Sequence, residues 1–358
     1  MPSIPDILRA LSAVQEPELR NDLVSLDMVK DVRAQGDEVT FKLELTTPAC
    51  PLKDKIVKEC EDAVKALPGV KRVSVAVGHR VLSSRPPGER SDLPGVKNVV
   101  AVYACKGGVG KSTVSSNLAA AWALDGCRVG LFDADIHGPN IPMMMGVTGN
   151  PSGEGKKLFP PSAHGVKLMS MGLMVDDASP MIWRGPMVHG AVKKLLRDTD
   201  WGDLDYLVVD LPPGTGDSQL TLIQTVPLAG VVVVTTPQDV ALADGVKGIG
   251  MFRKLKVPIL GLLENMSGFV CPNCSHETDV FGKGGGEKEA ARLKIPYLGA
   301  VPLDPGIVRS GDKGVPVVVG APASVSAKAL RWAAQIVAGR ISVANAGLEA
   351  PALPPVRS

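Results

Sequence analysis

Apolar residues along most of this chain fall into short unbroken runs rather than stripes. Six runs stand out: Val99–Ala104, Val129–Phe132, Tyr206–Val209, Val231–Thr235, Ile259–Leu263 and Leu298–Val301. Helical stretches lie between most of them. Runs of this length predict strands buried on both faces, as in a parallel sheet covered by helices. From Val96 onward the pattern therefore predicts a doubly wound α/β domain with a mostly parallel sheet, closed by a helix over Ala323–Val337.

The first part of the chain is patterned differently. Ile4–Val14 has helical spacing, and Val39–Leu45 alternates strictly between apolar and polar. Lys53–Leu67 is amphipathic and stops at Pro68-Gly69, and Val70–Val77 alternates again. The order predicts a small α+β domain, α-β-β-α-β. Between the two patterns, His79–Gly95 centres on Arg85-Pro86-Pro87-Gly88-Glu89-Arg90-Ser91-Asp92, a linker composition. The expected division is 1–78 for the small domain, 79–95 for the linker and 96–345 for the α/β domain. A Pro-rich tail, 346–358, is expected to be disordered.

Composition narrows the partners. An apolar fraction of 45% fills a sizeable core, and aromatics at 4% make it mostly aliphatic. The 39 basic and 37 acidic side chains leave a net charge of +2. That balance gives no global field for nucleic acid or an anionic membrane, and no basic block supplies one locally. No apolar run approaches the roughly 20 residues of a membrane span. Met1–Asp6 carries no signal-peptide pattern. The expectation is a cytoplasmic protein with neither nucleic acid nor membrane as partner.

Candidate chemistry begins where the first buried strand ends. Cys105-Lys106-Gly107-Gly108-Val109-Gly110-Lys111-Ser112-Thr113 lies between that strand and a helical stretch, Val114–Leu124. Strand, Gly-rich turn, Lys-Ser, helix is the setting of a P-loop. Backbone N–H groups of such a turn bind phosphate oxygens at a helix N-terminus. Lys111 would reach the β- and γ-phosphates of a nucleoside triphosphate, and the Ser112 hydroxyl would ligate Mg²⁺. The turn departs from the general template in having Cys105 where Gly is usual, and in the extra lysine, Lys106. Asp133-Ala134-Asp135 ends the second strand of this domain, where the γ-phosphate would lie. Leu207-Val208-Val209-Asp210 is an apolar strand ending in an acid, so Asp210 is a second Mg²⁺ ligand. Leu211-Pro212-Pro213-Gly214-Thr215-Gly216-Asp217 follows directly, with glycines that permit a switch-like rearrangement.

A second chemistry sits further on. Of six cysteines, Cys60 and Cys127 lie in apolar-periodic segments and read as core residues. Cys271-Pro272-Asn273-Cys274 is different: a C-x-x-C pair puts two thiolates on one ion or cluster. No second such pair exists in the chain, so a four-thiolate site needs two chains. The occupant on these grounds is an iron–sulfur cluster or a zinc ion, with His276 as a possible third zinc ligand. A redox pair is a further option.

The loop with its extra lysine resembles the deviant Walker A motif of the ParA/MinD-like ATPases. That resemblance implies ATP as the nucleotide and a homodimer in which Lys106 reaches the partner's nucleotide. It implies that Asp135 orients the attacking water, and that Asn265 and Asp304 flank the adenine. The ordered set is more specific still. It comprises Lys106–Thr113, Asp133-Ala134-Asp135-Ile136-His137-Gly138-Pro139-Asn140, Asp210–Asp217, and Asn265-Met266-Ser267 before Cys271-Pro272-Asn273-Cys274. This set resembles the Mrp/ApbC-type iron–sulfur cluster carriers over residues 97 to about 340. The resemblance implies a labile 4Fe-4S cluster bridged by Cys271 and Cys274 of two subunits. It also implies apo iron–sulfur proteins and cluster-assembly scaffolds as partners, and ATP hydrolysis coupled to transfer.

Leu45-Thr46-Thr47-Pro48-Ala49-Cys50-Pro51-Leu52 and Glu16-Pro17-Glu18 resemble the MIP-type (SufT-like) domain of iron–sulfur assembly factors. Cys50, near a predicted helix N-terminus, is expected to have a lowered pKa and to act as an accessory thiolate. Two rival readings stand beside the carrier: a ParA/MinD-type positioning ATPase, which leaves the Cys271/Cys274 pair without a role, and a zinc-stapled structural dimer.

Overall fold

The computed structural model describes residues 2–85, 92–136, 138–174, 185–271 and 273–348, with backbone alone at 185–189, 217, 218, 221 and 225. The centre of the expected linker and most of the expected tail lie outside the described residues. Contacts divide the chain into two compact units. One contains the described residues up to Leu82 together with those from Ala338 on, and the other is Ser83–Val337.

The smaller unit opens with helix α1 (Ile4–Leu11). A capping box starts it: Ser3 Oγ accepts from the Asp6 N–H at 3.3 Å, and Asp6 Oδ2 accepts from the Ser3 N–H at 3.2 Å. Next comes a ribbon of β1 (Gln15–Glu16) and β2 (Asn21–Asp22), which the hydropathy pattern does not show. Strands β3 (Val29–Gln35), β4 (Glu38–Leu45) and β5 (Arg72–His79) form a sheet in that order. The β3–β4 pair is antiparallel and β4–β5 parallel, the crossover being helix α2 (Lys53–Lys65). The alternation seen in sequence is the pleat: Val39, Phe41, Leu43 and Leu45 are buried. Ile56, Cys60 and Val64 recur at helical spacing on α2 and meet them in one core.

The larger unit is built on strands β6 (Val96–Tyr103), β7 (Val129–Asp133), β10 (Ser162–Ala163), β11 (Val166–Ser170), β12 (Leu204–Asp210), β13 (Leu228–Thr235), β14 (Ile259–Asn265) and β17 (Tyr297–Val301). Between β7 and β10 lie helix α4 (Ile141–Met144) and a hairpin of β8 (Ser152–Glu154) and β9 (Lys157–Phe159). The connecting helices are α3 (Lys111–Leu124), α5 (Gly185–Asp198), α6 (Asp217–Thr225), α7 (Asp239–Lys254) and α8 (Gly285–Leu293). A second hairpin, β15 (Phe269–Val270) with β16 (Glu277–Thr278), follows β14. Helices α9 (Pro305–Asp312), α10 (Val317–Gly320) and α11 (Val325–Asn345) complete the chain. The strand order is β10-β11-β7-β12-β6-β13-β14-β17, parallel throughout except the β10 edge.

All six apolar runs are strands of this sheet, and β11 joins it unannounced. Its sequence, Val166-Lys167-Leu168-Met169-Ser170, is interrupted by Lys167, whose ammonium escapes burial by donating to the Trp201 carbonyl at 2.7 Å. The closing helix runs on to Asn345, past the expected Val337, and from Ala338 it groups with the smaller unit. Aromatics pack in the core of this unit: Trp122 on α3 stacks on Tyr206 at 4.6 Å between ring centres and donates to the Ala334 carbonyl at 2.8 Å. Register aligns the strand ends. Asp210 sits opposite Asp133 on one side and Val102 on the other. The carboxyl ends of β6, β7 and β12 therefore open at one level, where ligands of such sheets bind.

Candidate nucleotide and metal sites

The turn after β6 needs left-handed backbone. Gly108 and Gly110 have φ of +80° and +87°. Gly110 also has no room for a side chain, because a Cβ there would lie 2.1 Å from Asn265 Nδ2. That amide donates to the Val109 carbonyl at 2.8 Å, so the end of β14 is fastened to the loop. Helix α3 starts at Lys111, and the unpaired N–H groups of its first turn belong to the same turn of chain.

Asp210 is the hub. Its Oδ2 receives Lys111 Nζ at 2.6 Å and Ser112 Oγ at 2.7 Å, and its Oδ1 receives Ser115 Oγ at 2.5 Å. Lys111 Nζ also lies 4.0 Å from Asp135 Oδ2. Asp133 accepts from the Asp135 N–H at 3.1 Å and from Ser170 Oγ at 3.0 Å. Burial, and then the charge of Asp210, push the Asp133 carboxyl up to about 8. One buried ammonium thus serves a cluster of carboxylates, an arrangement that suits a site awaiting further cations. Lys111, Ser112, Asp135 and Asp210 are brought together as the sequence predicts. Ser115 and Ser170 were missed. Ser115 had a signal, since it stands one helical turn after Lys111 and shares its face.

Lys106 points the other way. Its Nζ lies 3.3 Å from Asp244 Oδ2 on α7. Lys247, and then Lys106, hold the Asp244 carboxyl below its ordinary range. Cys105 Sγ donates to the Asp244 carbonyl at 2.7 Å, and Tyr103 Oη donates to the Gly214 carbonyl at 2.8 Å. The Gly214 N–H in turn donates to the Ala104 carbonyl at 3.2 Å. The loop after Asp210 is therefore stitched to the base of the P-loop. A cavity of about 430 Å³ opens beside Lys106, Gly107, Gly108, Val109, Thr236 and Met266. Thr113 lines a separate, smaller cavity with Asn117 and Ile307. Asp304 is engaged elsewhere: it caps α9, Oδ1 accepting from the Gly306 N–H at 2.7 Å and Oδ2 from Ser326 Oγ at 2.7 Å.

Cys271 and Cys274 occupy the tip of the β15–β16 hairpin. Cys274 is exposed and Cys271 half-buried. The Ser275 N–H donates to the Cys271 carbonyl at 2.9 Å and the Cys271 N–H to the His276 carbonyl at 3.0 Å, with Ser275 at φ +58°. This tight turn aims backbone N–H groups at one sulfur: the Cys274 N–H, then that of Asn273, hold the Cys271 thiol below its ordinary pKa. Among the described residues, no His, Cys, Asp or Glu completes a set of three with this pair. His276 is not a third ligand in this geometry. Cys60 and Cys127 are buried.

Cys50 departs from expectation. It precedes α2, and the N–H groups of Leu52 and Lys53 do face its sulfur. Burial outweighs them, and the neighbouring charge of Glu18 adds to it, so the thiol is pushed up to about 12 instead of down. The ligand atoms of Glu16, Glu18 and Cys50 all lie within 4.8 Å of one another. Burial, and then Glu16, push the Glu18 carboxyl up to about 7. The sequence links Glu16-Pro17-Glu18 to the Cys50 turn only through the resemblance to one domain family; hydropathy and spacing do not bring them together, because the contact is made only when the β1–β2 ribbon folds against the β4–α2 turn.

Comparison with known proteins places these features in a family. Residues 95–338 match the ParA family described as NUBPL iron-transfer P-loop NTPases, and residues 5–77 match a family described as iron-sulfur cluster assembly proteins. Two proteins named iron-sulfur cluster carrier protein are similar over most of their length. That of Synechocystis is 50% identical over 94% of this chain and 98% of its own, and that of Deinococcus radiodurans 49% over 94% and 95%. A nucleotide-binding protein from Archaeoglobus fulgidus, solved with ADP, aligns over 62% of this chain and 88% of its own, with 37% identity and a TM-score of 0.56. The cell-division ATPase MinD of Pyrococcus furiosus, at 22% identity and a TM-score of 0.52, shares the fold. The chain belongs to the NUBPL iron-transfer P-loop NTPases of the ParA family and joins to that ATPase fold an N-terminal iron–sulfur cluster assembly domain.

Proposed function

We propose that this chain is an ATP-hydrolysing iron–sulfur cluster carrier. Working in the cytoplasm as a homodimer, it would hold one 4Fe-4S cluster between two copies, receive it from assembly scaffolds and pass it to apo-proteins. The observation that carries the reading is the incomplete thiol pair: Cys271, half-buried, and Cys274, exposed, stand on the unit that carries the P-loop, without a third ligand among the described residues. Two such pairs make the four thiolates that a cluster requires. Two ligands per chain also make release easy, because separating the copies removes half of the ligands.

The ATP site is consistent with that task. Ser112 Oγ and Asp210 Oδ2, already 2.7 Å apart, would hold Mg²⁺, which neutralises phosphate charge when bound. Lys111, now paired with Asp210, is the cation that the β- and γ-phosphates would draw. Asp135 beside it would orient water. Lys106 would leave Asp244 to reach the partner's nucleotide, which links dimer geometry to ATP. Anaerobic loading with iron and sulfide tests the reading. The expected product is a coloured dimer with four irons per two chains that hands its cluster to an apo 4Fe-4S protein. A colourless protein holding stoichiometric zinc at Cys271 and Cys274 would contradict it.

A further inference from the structure

The acidic pocket of the smaller unit has no role in the carrier reading. Glu16 is 3% exposed and Cys50 8%. Glu16 keeps one oxygen on the Leu19 N–H, while the Glu18 carboxylate forms no hydrogen bond or ion pair with a described residue. The influences on the three groups are burial, one another, and backbone N–H groups; no Lys, Arg or His side chain is among them. Helix α11 seals the pocket at Gly339, where a Cβ would lie 2.4 Å from Glu18 Oε1 and 2.8 Å from Oε2. Only glycine lets the helix pass this close, and the carboxylate fills the space a side chain would need.

Two buried acids, Glu16 and Cys50, and the half-buried Glu18 beside them are costly without a cation unless they share protons or a metal ion. One thiolate and two carboxylates form a mixed donor set. Mg²⁺ and Ca²⁺ want six or more oxygens, whereas sulfur with oxygen suits a borderline first-row dication. Bonds of about 2.3 Å to sulfur and 2.1 Å to oxygen put ligand atoms roughly 3.5 Å apart, so the cluster, now within 4.8 Å, needs to contract by at most roughly 1.3 Å. Water can supply a fourth ligand.

We propose that Glu16, Glu18 and Cys50 form a second metal site, which takes one divalent first-row transition ion such as Fe²⁺ or Zn²⁺ per chain. A dication reverses the local electrostatics: the charges that hold the Cys50 proton in place become those that hold the metal. Binding displaces that proton, so affinity rises with pH. The site is independent of the cluster and of the ATP site.

Cobalt titration tests this, using the full chain with Cys271→Ser and Cys274→Ser so that the hairpin contributes no thiolate. The expected result is one Co²⁺ per chain with a near-ultraviolet thiolate-to-cobalt charge-transfer band. Adding Cys50→Ser should abolish the band, and adding Glu18→Gln should weaken binding at least about tenfold, since a charged ligand is lost. Far-ultraviolet circular dichroism checks each fold; if Cys50→Ser misfolds, Glu18→Gln reads the same band. No band in the double variant, or one unchanged by Cys50→Ser or by Glu18→Gln, overturns the proposal and leaves the pocket held by protons alone.

Discussion

Two thiol regions of this molecule are opposites. The Cys271/Cys274 hairpin tip carries one half-buried and one exposed thiol, its backbone N–H groups favour thiolate, and no third ligand joins the pair among the described residues. The Cys50 pocket is buried, its neighbours are acidic, and its thiol holds its proton up to about 12. The difference teaches that position at a helix or turn does not decide thiol chemistry. Both sulfurs face backbone N–H groups. Desolvation and adjacent carboxylates decide which way each thiol shifts, Cys271 down and Cys50 up.

Replacing both hairpin cysteines by alanine breaks the comparison most severely. Cluster content after anaerobic loading should fall to background, measured by iron and sulfide analysis, while Cys50→Ser should leave it near the unsubstituted level. Alkylation sharpens the contrast next. At pH 8 without metal, Cys271 should react with iodoacetamide roughly a thousandfold faster than Cys50 or more, read by peptide mass spectrometry, because only a thiolate attacks. The sign follows from the shifts: Cys271 lies below 9.0, so its thiolate fraction saturates as pH rises past that value, and Cys50 stays protonated until about 12.

Lys111→Ala asks whether the nucleotide site and the thiols are separable. ATP affinity should drop roughly a hundredfold, from loss of charge-assisted phosphate contacts. The nucleotide-free protein should also lose about 3 kcal/mol in denaturant unfolding, because Asp210 is left buried without its cation. Cluster loading at Cys271 and Cys274 should persist. The smallest effect is Glu18→Gln, which removes a negative neighbour of Cys50. Its alkylation at pH 8 should quicken several-fold, consistent with a lowered thiol pKa.

Most of the sheet was legible because a doubly covered parallel sheet writes itself as unbroken apolar runs. β11 was not, since Lys167 interrupts its run and reaches the Trp201 carbonyl only once folded. The P-loop, Asp135 and Asp210 were legible because strand-end residues are fixed by register. Contacts across the chain were not: Lys106 with Asp244, Asn265 with Val109, Ser170 with Asp133. The direction of the Cys50 shift was misread for the same reason. A helix N-terminus is local and visible in sequence, whereas Glu16 and Glu18 arrive from another element.

Native mass spectrometry of the anaerobically loaded protein tests the central claim most directly. The account predicts a dimer carrying a single four-iron, four-sulfide cluster, which disappears when Cys271 and Cys274 are replaced. A monomer carrying its own cluster, or a dimer whose cluster survives that replacement, would contradict it.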